Sequence, residues 1–128
     1  MISIFLADDH AIIRRFIKRL LEEEADLSVI GEAANGIDAV KLVAELKPDI
    51  LITDLSMPGL DGIEVTRRVR KASPQTLIVA LSNWDAQKNV VAAKQAGASA
   101  YVVKNLAVGE LVHTVRMVMD SQADHYHN

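Results

Sequence analysis

No cysteine occurs among the 128 residues, which excludes disulfide staples and any thiolate metal centre. Proline is scarce: Pro48, Pro58 and Pro74 are the only three, each at a break between segments. There is no basic excess. The formal net charge is −3, which argues against a nucleic-acid surface on this stretch of chain. No apolar run approaches the ~18 residues of a membrane span, and no basic n-region precedes the first apolar residues. Repeats and low-complexity tracts are also missing. What is left is one domain's length of chain, half of it apolar, enough for a real core. The expectation is a soluble cytoplasmic protein with no membrane contact.

The most informative stretch runs from Asp49 to Gly62. After the Pro48-Asp49 break come Ile50, Leu51 and Ile52, β-formers with no exposed face in their pattern. That reads as a buried parallel strand. It delivers one carboxylate, Asp54, at its C-terminal end, and Pro58-Gly59 and Asp61-Gly62 then make a loop. An unpaired charge there is expensive to bury, and open α/β sheets bind ligands outside the carboxyl ends of their strands.

The rest of the chain repeats the same unit. Strands are expected at Ile2–Ala7, Leu27–Ala33, Thr76–Leu81 and Ala100–Val103. Between them lie helical patterns. The first, Ala11 to Ala25, carries Ile13, Phe16, Ile17, Leu20 and Leu21 at helical spacing, with Arg14, Arg15, Lys18 and Arg19 on the other face. The second, Ile37 to Leu46, turns Val40, Val43 and Leu46 inward. The third begins at a capping-box spacing, Asp61 to Glu64, and runs to about Lys71. The fourth, Ala86 to Ala96, has Asp85 as N-cap and Gly97 at C′. The last, Val108 to Met119, precedes a polar, frayed tail over residues 121–128. Five βα units imply a doubly wound parallel sheet, and the order 2-1-3-4-5 places strands 1 and 3 side by side.

That adjacency brings Asp8 and Asp9, after strand 1, to the same rim as Asp54. Three carboxylates so close demand protonation or a cation, and an oxygen-only set suits Mg²⁺. The bland alternative for Asp9 is a helix cap. Strands 4 and 5 end at Ser82 and Lys104, a hydroxyl and an ammonium on that rim. Together they describe a receptor for phosphoryl oxygens, with Asp54 as in-line nucleophile. Alternatively Lys104 simply pairs with Asp54 or Asp9, and Ser82 caps a helix.

In order along the chain, Asp8-Asp9-His10, Asp54 through Gly62, Ala80-Leu81-Ser82, Gly97-Ala98 and Tyr101-Val102-Val103-Lys104 resemble the motifs of the receiver domain of two-component response regulators. The resemblance spans nearly all of residues 2–120, leaving 121–128 as a tail or linker stub. It implies the flavodoxin-like (βα)5 receiver fold. It implies that Asp54 takes a phosphoryl group from a sensor histidine kinase. It implies that Asp9, Asp54 and the backbone carbonyl of Ser56 ligate Mg²⁺, with Asp8 acting through water. Ser82 and Tyr101 would form the switch pair. The family often carries proline after the lysine, whereas Asn105 stands here. That departure, with Gly31-Glu32-Ala33, resembles receivers joined to LuxR-type helix-turn-helix domains. The branch implies transcription control, DNA contact only through an output domain absent from this chain, and self-association on phosphorylation. Catalysis would be limited to the chain's own phosphorylation and slow self-dephosphorylation.

Two rivals share parts of this pattern. A haloacid dehalogenase-like phosphohydrolase also uses a strand-end aspartate and Mg²⁺, but wants a second Asp where Ser56 stands. A flavodoxin-like cofactor binder needs an anion-cradling loop after strand 1, where Asp8-Asp9 would repel a phosphate. Trp84, two residues past Ser82, either covers the pocket mouth as a lid against hydrolytic water or lies outward on the fourth helix or in an interface. His10 and His113 read as surface or packing residues. His125 and His127, an H-x-H in the tail, are a weak metal motif.

Overall fold

The computed structural model describes residues 1–82, 87–104 and 107–125. Strand β1 (Ile2–Ala7) is followed by α1 (Ala11–Glu22), β2 (Leu27–Ala33), α2 (Gly36–Leu46) and β3 (Ile50–Asp54). Then come α3 (Gly62–Ala72), β4 (Leu77–Ser82), α4 (Gln87–Ala96), β5 (Ala100–Val103) and α5 (Ala107–His125). The strands form one parallel sheet in the order β2-β1-β3-β4-β5, as the alternation of elements implies. Among the described residues no helix is long and apolar enough to cross a membrane.

Strand alternation sends neighbouring side chains to opposite faces, and both faces are covered. Ile4, Leu6, Ile50, Ile52, Val79 and Leu81 pack under Ile17 and Leu21 of α1 and Leu111, Val115 and Val118 of α5. Phe5, Leu51 and Ile78 meet Ala39 and Val43 of α2 and Val65 and Val69 of α3. Ala80 meets Ala93 of α4 and Leu55. Every residue of β3 is buried, including the aspartate that ends it.

At the N-terminal edge of the sheet β1 and β3 are tied reciprocally. Asp49 Oδ2 accepts from the Ser3 backbone N–H at 2.8 Å, and the Asp49 N–H donates to Ser3 Oγ at 2.9 Å. Arg116 of α5 reaches Asp26 at 2.6 Å and Glu24 at 2.8 Å in the turn before β2. Hydrogen bonding to Arg116 holds the Asp26 carboxyl below its ordinary pKa.

The caps follow local chemistry. Asp61 Oδ1 accepts from the Glu64 N–H at 2.9 Å and Asn35 Oδ1 from that of Asp38 at 2.8 Å. Gly97 ends α4 at φ +117°, the left-handed C′ geometry expected there. The proposed cap Asp85 lies outside the described residues, as do Trp84, Asn105 and His127.

Some expectations differ from the structure. Helix α1 ends at Glu22, short of Ala25, and buries only Ile17 and Leu21; Phe16 stays 51% exposed. In α2 it is Ala39 and Val43 that are buried, while Leu46 at the last turn is exposed. Helix α5 continues through Ser121 to His125, where a frayed tail was expected. No glycine or proline interrupts that run.

Gly62, the first residue of α3, lies against the end of β3. A Cβ there would fall within van der Waals distance of the Asp54 carbonyl oxygen and the Leu55 Cα, both backbone atoms that cannot swing aside. Gly62→Ala is therefore expected to destabilise the fold by about 1–3 kcal/mol. Urea unfolding should show a lower midpoint; a wild-type midpoint would mean that the α3–β3 approach is not tight.

Candidate functional site: an acidic pocket at the strand ends

The pocket is built from three loops. Asp54 closes β3, 3% exposed, because the strand is apolar until its last residue. Its Oδ1 accepts from the Ser56 N–H at 3.1 Å, and its Oδ2 accepts from Lys104 Nζ at 2.9 Å. Asp8, at the end of neighbouring β1, is 2% exposed. Its Oδ1 accepts from the His10 N–H at 2.9 Å. Lys104, one residue beyond β5, thus reaches across to both carboxylates, standing 3.0 Å from Asp8 Oδ2. Asp9 is more exposed and lies at the pocket mouth.

Burial raises the pKa of Asp54; the hydrogen bonds from Lys104 and Ser56 offset part of that, and the Asp8 charge adds to it. For Lys104 burial acts downward, but the Asp54 and Asp8 carboxylates outweigh it and hold the ammonium charged. Asp8 Oδ2 accepts no hydrogen bond although it is buried; its contact with Lys104 is an ion contact out of line for one. Ligand atoms of Asp8, Asp9, His10 and Asp54 all lie within 4.8 Å of one another. Three carboxylates face one ammonium, and a buried oxygen has acceptor capacity to spare. The donor set therefore fits a cation.

Of the expected site residues the structure brings Asp8, Asp9, Asp54 and Lys104 together at one rim, with particular differences. Lys104 pairs with Asp54 and Asp8, where Asp9 had been the alternative to Asp54. Asp9 is not the cap of α1: that position is His10, whose side chain makes no capping bond. His10 is no bystander, since its Nδ1 lies 3.1 Å from Asp8 Oδ1 and 3.3 Å from Asp9 Oδ1. Ser82 ends β4 buried. Tyr101 on β5 packs against Leu55, Ala80 and Ala93 on the α4 side of the sheet. Ser56 is exposed and brings no carboxyl. Arg14, on the face of α1 opposite its apolar residues, is not simply solvated. It donates instead to the Asp8 carbonyl at 2.5 Å and to Glu32 at 3.0 Å, bracing the loop after β1. Its place one helical turn after His10 was the available signal.

Residues 4–116 match the family described as Response regulator receiver domain. The chain belongs to the response regulator receiver domain family. A curated relative, the transcriptional regulatory protein YhcZ of Bacillus subtilis, is 39% identical over 112 residues, 88% of this chain and 52% of that protein. The response regulator GacA of Pseudomonas aeruginosa is 35% identical, over 95% of this chain and 57% of that one. This receiver domain thus spans about half the length of the curated relatives it matches. A two-component response regulator of the LuxR family from Aurantimonas superposes with a TM-score of 0.89 at 35% identity, covering 93% of this chain and 85% of that one. The haloacid dehalogenase alternative finds no support in these likenesses.

The raised pKa of Asp54 has a sign. A carboxyl more easily protonated in the folded receiver contributes stability at low pH, and that contribution is lost as pH rises through its folded value. Asp54→Asn keeps an acceptor for Lys104 and removes one of three crowded charges. It is expected to unfold at higher urea concentration than the wild type at neutral pH in EDTA, with the two curves converging as pH falls toward 4 or so. A less stable Asn variant at neutral pH would contradict this.

Proposed function

We propose that this receiver domain accepts a phosphoryl group on Asp54 from the phosphohistidine of a sensor histidine kinase and passes the signal on by a change of conformation. The observation that carries the reading is the Asp54 carboxylate, buried at a strand end with Lys104 at 2.9 Å and two further carboxylates beside it. An Asp54 oxygen attacks phosphorus, the P–N bond of the donor breaks, and the imidazole leaves with the electron pair. Lys104, already in contact with Asp54 Oδ2, offers its ammonium to the equatorial oxygens, and the Ser82 hydroxyl lies on the same rim. The Ser56 N–H orients the attacking carboxylate. Asp9, Asp54 and the Ser56 carbonyl would hold Mg²⁺ directly, with Asp8 through water; the ion supplies charge neutralisation between carboxylate and phosphoryl group. The chain in this reading turns over no external substrate beyond its phosphodonor. Trp84 remains the candidate lid against hydrolysis.

Ser82 and Tyr101 are the proposed switch pair: phosphate draws the hydroxyl inward and the phenol follows, shifting existing populations. The output surface would be α4, β5 and α5, where Met117 is exposed. The relatives include proteins named as transcriptional regulators. Transcription control in the cytoplasm is the proposed output, with any DNA contact made by regions of those relatives that this chain does not span. Self-association on phosphorylation is part of the same reading.

Incubation with acetyl phosphate and Mg²⁺ should add one phosphate to the intact mass of the wild type and none to Asp54→Ala. An adduct of equal yield in the variant would refute the assignment. With beryllofluoride, amide exchange over α4, β5 and α5 should change and the sedimentation coefficient should rise. Changes confined to the pocket loops would leave the switch without support.

A further inference from the structure

His10 sits where an ordinary surface histidine would not. Its side chain is half exposed, yet its Nδ1 edge is turned into the pocket. From that nitrogen Asp8 Oδ1 is 3.1 Å away, Asp9 Oδ1 3.3 Å and Asp54 Oδ2 3.9 Å. Lys104 Nζ is 3.5 Å away. Ligands about 2.1 Å from a first-row metal stand roughly 3.0 Å apart at neighbouring octahedral positions and roughly 3.4 Å apart in a tetrahedron. The Asp8 and Asp9 oxygens stand from Nδ1 at the spacing of neighbouring ligands, and the Asp54 oxygen lies about half an ångström beyond it. The buried Asp8 Oδ2 accepts no hydrogen bond and has Lys104 Nζ, at 3.0 Å, as its cationic neighbour, so that carboxylate keeps acceptor capacity whatever the histidine does.

An imidazole changes which cation the shell prefers. Mg²⁺ is a hard ion that takes oxygen and keeps its waters. Borderline ions such as Co²⁺, Ni²⁺ and Zn²⁺ gain from a nitrogen ligand. We propose that His10 Nδ1 and carboxylate oxygens of Asp8, Asp9 and Asp54 form a mixed nitrogen–oxygen site for a borderline divalent ion. The same pocket then takes Mg²⁺ through oxygen alone and a borderline ion through oxygen and His10. A borderline ion so held occupies the oxygens that the Mg²⁺ form needs, so the two ions exclude each other. This rests on the reading of Asp8, Asp9 and Asp54 as a cation site. The first helix turn supplies the geometry: His10 is the N-cap, so its side chain starts at the loop that carries Asp8 and Asp9.

The test is calorimetric titration with Ni²⁺ and, separately, Mg²⁺. The protein carries His125→Ala and His127→Ala, so that the tail imidazoles do not bind, and no affinity tag. Replacing His10 by Ala, and separately by Asn, should weaken Ni²⁺ binding about ten-fold or more and Mg²⁺ binding far less. Zn²⁺ should shift the Nδ1 resonance of ¹⁵N-labelled His10 in slow exchange. An Ni²⁺ affinity indifferent to both substitutions, or an equal loss for both ions, overturns the mixed site even where Mg²⁺ binds. Nickel binding that depends on His10 in a protein that takes no Mg²⁺ upholds the mixed site and sinks the Mg²⁺ reading instead. Circular dichroism of the variants separates either result from misfolding.

Discussion

The architecture at the strand ends depends on one ammonium. Parallel strands β1 and β3 lie side by side and each ends in a buried aspartate, so the sheet brings like charges together by its own register. Lys104 arrives from the far edge, beyond β5, and touches both. Its position links the order of the strands to the chemistry of the pocket. Were β5 elsewhere in the sheet, Asp8 and Asp54 would face each other without a counter-charge, and one would have to be protonated to stay buried. Attraction from one cation does not cancel three carboxylates. The residual negative charge makes the pocket receptive to a further cation and keeps Asp54 ionised only at a cost in stability.

Much of this was legible from the residues. Strand periodicity and the breaks at Pro48 and Pro74 placed β1, β2, β3 and β5 at their observed ends, because buried parallel strands are continuous apolar runs with little room for ambiguity. The convergence of Asp8, Asp54, Ser82 and Lys104 followed from topology alone, since every strand of a parallel sheet ends on the same rim. Partners within the rim were less legible. Whether Lys104 meets Asp8 or Asp9 depends on which way one peptide turns after Ala7, and alternation along a strand stops giving that answer once the strand has ended. The direction in which His10 approaches the pocket was not legible for the same reason: a lone histidine at a helix start carries no period.

Helix α1 shows the opposite failure. Its apolar residues recur at helical spacing, and the natural inference is a core stripe, yet α1 buries only two residues. The stripe is wider than the sheet face beneath it. Ile12, Ile13 and Phe16 therefore stand on the solvent side, beside the basic residues, a short distance along the helix from the pocket. Periodicity reports amphipathicity but does not say how much of the apolar face the neighbours can cover.

The paired bonds between Ser3 and Asp49 give the sheet a fulcrum. They fasten β1 to β3 at one end, five residues from Asp8 and five from Asp54, roughly 16 Å away along the strands. At that far end the same two strands carry the repelling charges. Between the two ends the ladder is continuous from Ile4 and Ile50 to Ala7 and Thr53, so the strands cannot slide past one another. A change in the charge of the pocket therefore acts on the loops that follow the two strands and leaves the register of the ladder as it is.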